Sequence, residues 1–274
     1  MLADNLSLYS NTETEAAYSV ITMAEQKAQK SSDIVVEIID SEQDFATAFA
    51  IISRCFGQQT KDVFWQAMNP SWDMHDGATA GRDRMIKRWQ SVTANKSGEP
   101  NTVHLKATVP DPNNPVKRVM AGIAIWAQLS MVDGMGDKPS TDVSTAVNLD
   151  ELYPGDATEQ RFLRQGFASF VSQRVKTLEE KATTSSPATF SLDLCAVDPD
   201  FQRRGIANKL VEWGLEEAKN RGGLESTTEG SAMGRFVYQK LGFKPVEEVN
   251  YVMDPEFKDR KLPSNLFMRT GPST

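Results

Sequence analysis

The segment "VDPDFQRRGIANKLVEWGLEEA" (residues 197–218) places cations where a helix is about to begin. Asp198 precedes a proline and is therefore biased away from helical geometry, so the apolar run ending at Val197 should turn there. Beyond the arginines, apolar residues recur at helical spacing, which predicts an amphipathic helix. Arg203 and Arg204 thus stand at a helix N-terminus, where positive charge is normally unfavourable.

A phosphate-containing ligand would explain this arrangement. The first amides of a helix have no partners within the helix, and the helix dipole adds partial positive charge. Gly205 removes a side chain where a ligand must approach the backbone closely. The arginines then strengthen a site for a polyanion, most simply a pyrophosphate.

The remaining elements predict one mixed α/β domain, residues 34–274, with helices packed on a central sheet, after a polar arm at 1–33. Residues 130–156, rich in Gly, Asp, Ser and Pro, and residues 71–84 are expected to be loops that set acceptor selectivity. Strands are predicted at 34–40, 102–110, 116–129, 190–197, 224–229, 247–254 and 264–270. Helices are predicted at 41–57 (capped by Ser41), 158–182 (capped by Thr158) and 231–243.

Composition argues against several classes of protein. A net charge of −7 disfavours broad binding to nucleic acid or anionic membranes, and 39% apolar residues suffice for a core. No apolar stretch approaches the roughly 20 residues of a membrane span, and the N-terminus lacks a secretion-signal pattern. The two cysteines stand outside any CxxC pair, and His75, Asp76 and His104 are too scattered for a metal site. We therefore expect a soluble, cytoplasmic protein without a metal.

Two motifs resemble one known family. Residues 202–207, "QRRGIA", fit the pattern Q/R-x-x-G-x-G/A, the acyl-coenzyme A signature of the GNAT acetyltransferase superfamily. Residues 234–243, "GRFVYQKLGF", resemble its other hallmark, a short helix carrying a tyrosine before a Leu-Gly-Phe turn. The resemblance is strong over 190–253, looser over 34–130, and closest to small-molecule acetyltransferases from fungi. It implies the GNAT fold, with a mixed, partly splayed sheet of six to seven strands, and acetyl-CoA as co-substrate.

The resemblance also implies where the coenzyme would bind. The pantetheine arm would pair with main-chain groups of the strand 190–197, and amides at the following helix start would hold the pyrophosphate. Ser231 stands where relatives often carry asparagine, and it is expected to cap the short helix. The implied coenzyme-binding residues are Cys195, Ala196, Val197, Gln202, Arg203, Arg204, Gly205, Ile206, Ala207, Asn208, Ser231 and Tyr238.

Acetyl transfer from a thioester to an amine needs a neutral amine, a stabilised oxyanion and a proton for the departing thiolate. Tyr238, in the place of the family's tyrosine, would stabilise that thiolate. Asp193 is the candidate base, because relatives that use a base on this strand place it there or at Ser191. Strand alternation would also put Asp193 on the same face as Cys195.

Plainer interpretations stay open for each of these residues. Asp193 could pair with an arginine, Tyr238 could pack the short helix, and Cys195 could be a small buried residue. Trp65 and Trp72 could be core or could line an acceptor pocket. The predicted function is acetyl transfer to a small-molecule amine in a ternary complex. The alternatives are a coenzyme-binding regulatory or scaffold module, and a protein N-terminal or lysine acetyltransferase.

Overall fold

The strands form one seven-stranded sheet in the order β1-β2-β3-β4-β5-β7-β6, in which only β4 and β5 run parallel. The computed structural model describes residues 33–271, so residues 1–32 of the predicted polar arm 1–33, and residues 272–274, lie outside it. The strands are β1 (Val35–Ile38), β2 (Thr102–Asp111), β3 (Asn114–Ser130), β4 (Ala188–Val197), β5 (Glu225–Ser231), β6 (Lys244–Glu248) and β7 (Asn265–Arg269). The predicted single mixed α/β domain is confirmed.

Helices cover both faces of the sheet. No helix in the described range 33–271 is long and apolar enough to cross a membrane. The helices are α1 (Asp44–Ile52), continued by a π-helical segment (Ser53–Gln59), α2 (Val63–Met68), α3 (His75–Gln90), α4 (Leu149–Leu152), α5 (Ala157–Lys181), α6 (Ile206–Asn220) and α7 (Arg235–Lys240). Single 3₁₀ turns lie at Val143–Thr145, Pro199–Phe201 and Pro255–Phe257.

The core on the α6 side of the sheet is built around Trp126, which is fully buried and stacks on Phe190 with ring centroids 5.2 Å apart. A Cβ atom on Gly214 of α6 would lie 2.0 Å from the Trp126 ring. The missing side chain therefore lets α6 lie directly on the indole. On the opposite face, α1 packs Phe45 and Ile52 against the sheet.

The sheet opens between β4 and β5. These strands pair only over Thr189–Leu192 and Glu225–Thr228. Beyond that point β4 stays paired with β3, and β5 stays paired with β7. We call the resulting gap, between residues 193–197 of β4 and 229–231 of β5, the slot. It is the splay that the resemblance implies.

Several predicted boundaries are wrong. Residues 75–84 belong to α3 and are not a loop, because α3 begins at His75. Asp156, not Thr158, caps α5 by accepting the Glu159 amide at 3.0 Å.

The other differences lie at α1 and in the C-terminal part of the sheet. Gln43, and not Ser41, occupies the N-cap of α1, where no side chain caps the helix. The strand predicted at 247–254 is displaced to 244–248, and the helix predicted at 231–243 covers only 235–240 because Ser231 ends β5.

Candidate functional site

The loop between β4 and α6 presents a row of free amides. Within the described residues, the amides of residues 203–208 donate to no protein acceptor, and the first bond into α6 runs from Lys209 to the Gly205 carbonyl at 3.2 Å. Arg203 (φ 64°) and Gly205 (φ 91°) both have left-handed backbone conformations. Successive amides in such a turn can converge on one anion, and the α6 dipole favours negative charge there.

Gly205 is needed for its backbone angle rather than for space. A Cβ atom there would meet nothing nearer than Ile34 Cδ1, at 4.0 Å. A side chain is disfavoured at φ 91° because its Cβ crowds the backbone. The protein itself thus supplies a reason for the glycine, independent of any ligand.

Arg54 neutralises two carboxylates beside this loop, a role that the sequence did not reveal. It lies in the π-helical segment and donates to Asp198 at 2.6 and 2.7 Å and to Asp200 at 3.0 Å. Arg204 stacks over the Phe201 ring at 5.0 Å and donates to the Asp200 carbonyl. These contacts fix the arrangement of the loop, and Arg54 keeps its aspartates from repelling an anion.

Two of the predicted coenzyme-binding residues, Gln202 and Val197, already form hydrogen bonds within the protein. The Gln202 side chain exchanges hydrogen bonds with Gln59 and donates to the Val197 carbonyl at 3.0 Å. The Cys55 thiol donates to the same carbonyl at 3.1 Å. Because that carbonyl already accepts two hydrogen bonds and the main-chain groups of Ala196 face β3, Cys195 is left as the better main-chain partner for an added ligand strand.

A β-bulge at Asp193 reverses the alternation of side chains along β4. Leu192 pairs with Trp126 and Leu194 with Ile125, which leaves Asp193 as the extra residue. Leu194 packs on the α1 side of the sheet, whereas Cys195 packs on the α6 side. The prediction that Asp193 and Cys195 share a face is therefore wrong, because Asp193 points towards α3 and α5.

On that face Asp193 is held by two arginines. Arg174 of α5 donates to one carboxylate oxygen at 2.5 Å, and Arg88 of α3 donates to the other at 2.6 Å. Burial alone would raise the pKa of Asp193, but Arg174 and Arg88 together lower it below its ordinary value. This matches the plainer interpretation of Asp193 as a partner of arginines.

Tyr238 lies beside the slot on the α6 side. Cβ atoms on Gly230 or Gly234 would come within 3.0 Å of its ring, so both glycines make room for it. Burial raises the pKa of Tyr238 well above 10, and the neighbouring Cys195 adds to the effect. The phenol therefore stays protonated and can donate. Ser231 accepts from the Gly234 amide at 3.2 Å, so it supports the turn before α7 and is not the cap of that helix.

The remaining candidate residues are Cys195, Trp65 and Trp72. Cys195 is only partly buried, but desolvation raises the pKa of its thiol to about 12, which argues against a nucleophile. Trp65 packs between Phe49 and Phe56. Trp72 lines a groove beside α1, together with Phe49 and Arg54. Within residues 33–271, no three His, Cys, Asp or Glu side chains are gathered as a metal would require.

Comparisons with known proteins agree with this geometry. Residues 164–245, from α5 into β6, match the family model described as "Acetyltransferase (GNAT) domain". No curated protein sequence matches the chain significantly.

Three solved structures share this fold at low sequence identity. A histone acetyltransferase HPA2-related protein from Corynebacterium glutamicum is 15% identical, with a TM-score of 0.50 over 88% of this chain and 98% of its own. Arylalkylamine N-acetyltransferase 2 from Aedes aegypti is 18% identical (TM-score 0.50; 86% and 98%). The polyamine N-acetyltransferase of Drosophila melanogaster is 11% identical (TM-score 0.52; 86% and 99%).

The fold and the matched segment define the class. The chain has the GNAT fold, and its residues 164–245 match the model of the GNAT acetyltransferase domain. Because every structural neighbour cited is under 25% identical, the likeness to them is one of fold, and the acceptor must be argued separately.

Proposed function

We propose that this protein is an acetyl-CoA-dependent N-acetyltransferase that acetylates an amine of a small molecule by direct attack in a ternary complex. The observation that carries the proposal is the adjacency of the free amides at residues 203–208 to the slot. One extended ligand satisfies both features. Its diphosphate would lie on the amides, and its pantetheine arm would add to the free edge of β4 at Cys195.

The chemistry assigns a clear role to Tyr238. The amine nitrogen forms a bond to the acetyl carbon as the carbon–sulfur bond breaks, the amine loses one proton, and the thiolate gains one. A raised pKa keeps the Tyr238 phenol protonated, so it can donate a hydrogen bond to the departing sulfur. Asp193 is a weaker base than the sequence suggests, because a carboxylate with a lowered pKa holds a proton poorly. A water relay is therefore the favoured route for the amine proton.

Because two arginines hold Asp193, a second function is also supported. A protein with the coenzyme site but no free base could bind acetyl-CoA without transferring the acetyl group, as a regulatory or scaffold module does.

Neighbours named for polyamines, agmatine and arylalkylamines indicate which small amines to try first. Peptide N-termini and lysine side chains test the protein-acetyltransferase alternative.

A thiol-release assay distinguishes these functions. We expect acetyl-CoA consumption to exceed background hydrolysis with at least one amine from a panel of polyamines, arylalkylamines, aminoglycosides and peptides. Coenzyme binding by calorimetry with no thiol release from any amine would favour the module. Absence of binding at millimolar coenzyme would contradict both proposals.

A further inference from the structure

One buried arginine bridges the slot. Arg174 donates to Asp193 on β4 at 2.5 Å, and it holds Glu229 on β5 through its Nε at 3.1 Å and through a terminal nitrogen. The Arg174 side chain is 9% exposed, and that of Glu229 is 1% exposed. The last β4–β5 pair is Leu192 with Thr228, so Asp193 and Glu229 are the first residues beyond it on each strand. The guanidinium therefore stands where the strands separate.

The bonds between β4 and β5 change character along their length. In the paired part, the Ser191 and Thr227 hydroxyls are 2.6 Å apart, and the Thr228 hydroxyl donates to the Leu192 carbonyl at 3.1 Å. At the next residue, a guanidinium replaces backbone pairing. Because a guanidinium is a rigid planar fork, it holds two carboxylates at a fixed separation. It thereby opposes both closure and further spreading of the strands.

We propose that Arg174 is a positioning residue that sets the width of the slot for the pantetheine arm. This inference rests on the proposed coenzyme binding and adds to it. Arg88 supports the same arrangement from the other side, since it donates to the second oxygen of Asp193 at 2.6 Å. A carboxylate held by two guanidiniums cannot swing into the slot. The pair Asp193–Arg174 thus serves the geometry of the strands and not proton transfer.

The test separates the two halves of the coenzyme. The nucleotide half, 3′-phospho-ADP, would reach only the amides at the start of α6, whereas intact coenzyme A would also enter the slot. The affinity for coenzyme A divided by the affinity for 3′-phospho-ADP, both measured by calorimetry, reports the contribution of the pantetheine arm. We call this quotient the affinity ratio. We expect Arg174→Lys to lower this ratio at least tenfold and to leave 3′-phospho-ADP binding unchanged, because a compact ammonium cannot span both carboxylates.

Lys181 provides a matched control on the same helix. It lies two turns further along α5 and donates at 3.2 Å to the buried Glu225, in the part of β5 that remains paired with β4. Lys181→Met should lower stability without changing the affinity ratio. An equal drop in the ratio for Lys181→Met, or an unchanged ratio for Arg174→Lys, would overturn the inference.

The outcomes distinguish this inference from the proposed function. If the wild-type protein binds neither ligand, the coenzyme site itself is wrong. If it binds both and Arg174→Lys keeps the wild-type ratio, only the role of Arg174 is wrong. Should Arg174→Lys fail to fold, the triple variant Arg174→Met, Asp193→Asn, Glu229→Gln removes the charges together, a replacement that buried ion networks often tolerate. The same tenfold fall is expected there, and an unchanged ratio would again overturn the inference.

Discussion

Tyr238 owes its position to two glycines and its protonation to burial. Its ring fits only because Gly230 and Gly234 have no Cβ. Desolvation disfavours the phenolate, so the pKa rises well above 10, whereas a lowered value would make full proton transfer to a thiolate easier. The hydroxyl is therefore suited to stabilise a leaving thiolate by hydrogen bonding rather than by complete proton transfer.

Tyr238→Phe should lower turnover by roughly 10- to 100-fold, the effect of removing one hydrogen bond to a charged group. Affinity for coenzyme A should change little, since the ring and its packing are retained. Tyr153→Phe is the control: its hydroxyl donates to the Ala67 carbonyl at 2.9 Å, so its loss should reduce stability and not turnover. Unchanged turnover in Tyr238→Phe, measured by thiol release, would remove Tyr238 from the mechanism.

His104 is a buried group that links stability to pH. It is 2% exposed, both ring nitrogens lack partners, and its ring meets Phe45 edge-on. Burial, together with the positive charge of Arg88, lowers the pKa of His104 to about 4. The unfolded chain, with an ordinary histidine pKa near 6.5, therefore binds a proton as the pH falls below 7 while the folded chain does not.

When the pH falls from 7 to 5, we expect His104 to lower the free energy of unfolding by about 2 kcal/mol. Urea denaturation at the two pH values should show a smaller loss for His104→Leu than for the wild-type protein. His75, the second of the two histidines, is exposed, so His75→Gln should keep the wild-type dependence. Equal losses in His104→Leu and the wild-type protein would show that His104 is not the source.

At the scale of elements, α6 is flanked at both ends by a glycine with a left-handed backbone conformation. Gly205 before the helix and Gly222 after it both have φ 91°, and neither would place a Cβ in a close contact. An alanine at either position should therefore destabilise the fold by a similar amount, about 1 kcal/mol. Only Gly205, however, orients the amides that face the proposed diphosphate.

Gly205→Ala should therefore weaken coenzyme A binding at least tenfold, and Gly222→Ala should leave binding unchanged at the same loss of stability. Calorimetry gives the affinities, and urea denaturation gives the free energies of unfolding. Equal affinities in the two variants would mean that the amides of residues 203–208 do not grip the ligand.

The sequence predicts elements well where one pattern dominates. The helix after Gly205 and the strands β2, β3 and β4 follow from their apolar spacing, and their observed bounds differ little from the predicted ones. The bulge at Asp193 is not visible in that spacing, because one extra residue changes no residue type. It nevertheless reverses every face that follows it. The strand-alternation argument for a base failed for this reason.

The sequence allowed an arginine partner for Asp193, but it could not identify which residues form the ion pairs of the site. Arg88 and Asp193 are 105 positions apart, and Arg54 and Asp198 are 144 apart. No local periodicity joins such residues, and only the packing of α3 and the π-helical segment on the sheet brings them together. A π-helical turn, a feature often found at functional sites, was predicted only as the end of an ordinary helix.

At the scale of the whole molecule, the sheet consists of two parts with a short seam. The strands β1 to β4 form one part, and β5, β7 and β6 form the other. Four residue pairs between β4 and β5 join them, and α5 packs against strands of both. A ligand strand in the slot would add hydrogen bonds where the seam ends. The bound coenzyme should therefore join the two parts as well as occupy the loop.

Coenzyme A at one hundred times its dissociation constant should stabilise the fold by about 2.7 kcal/mol and raise Tm by roughly 5–10 °C. Hydrogen exchange should slow at the Cys195 amide of β4, which faces the slot, because the slot becomes less open to water. At equal saturation, 3′-phospho-ADP should protect only the amides near Gly205, since it lacks the arm that enters the slot. Identical protection by both ligands would mean that the pantetheine arm lies outside the slot, and that the gap between β4 and β5 is a structural feature with no part in binding.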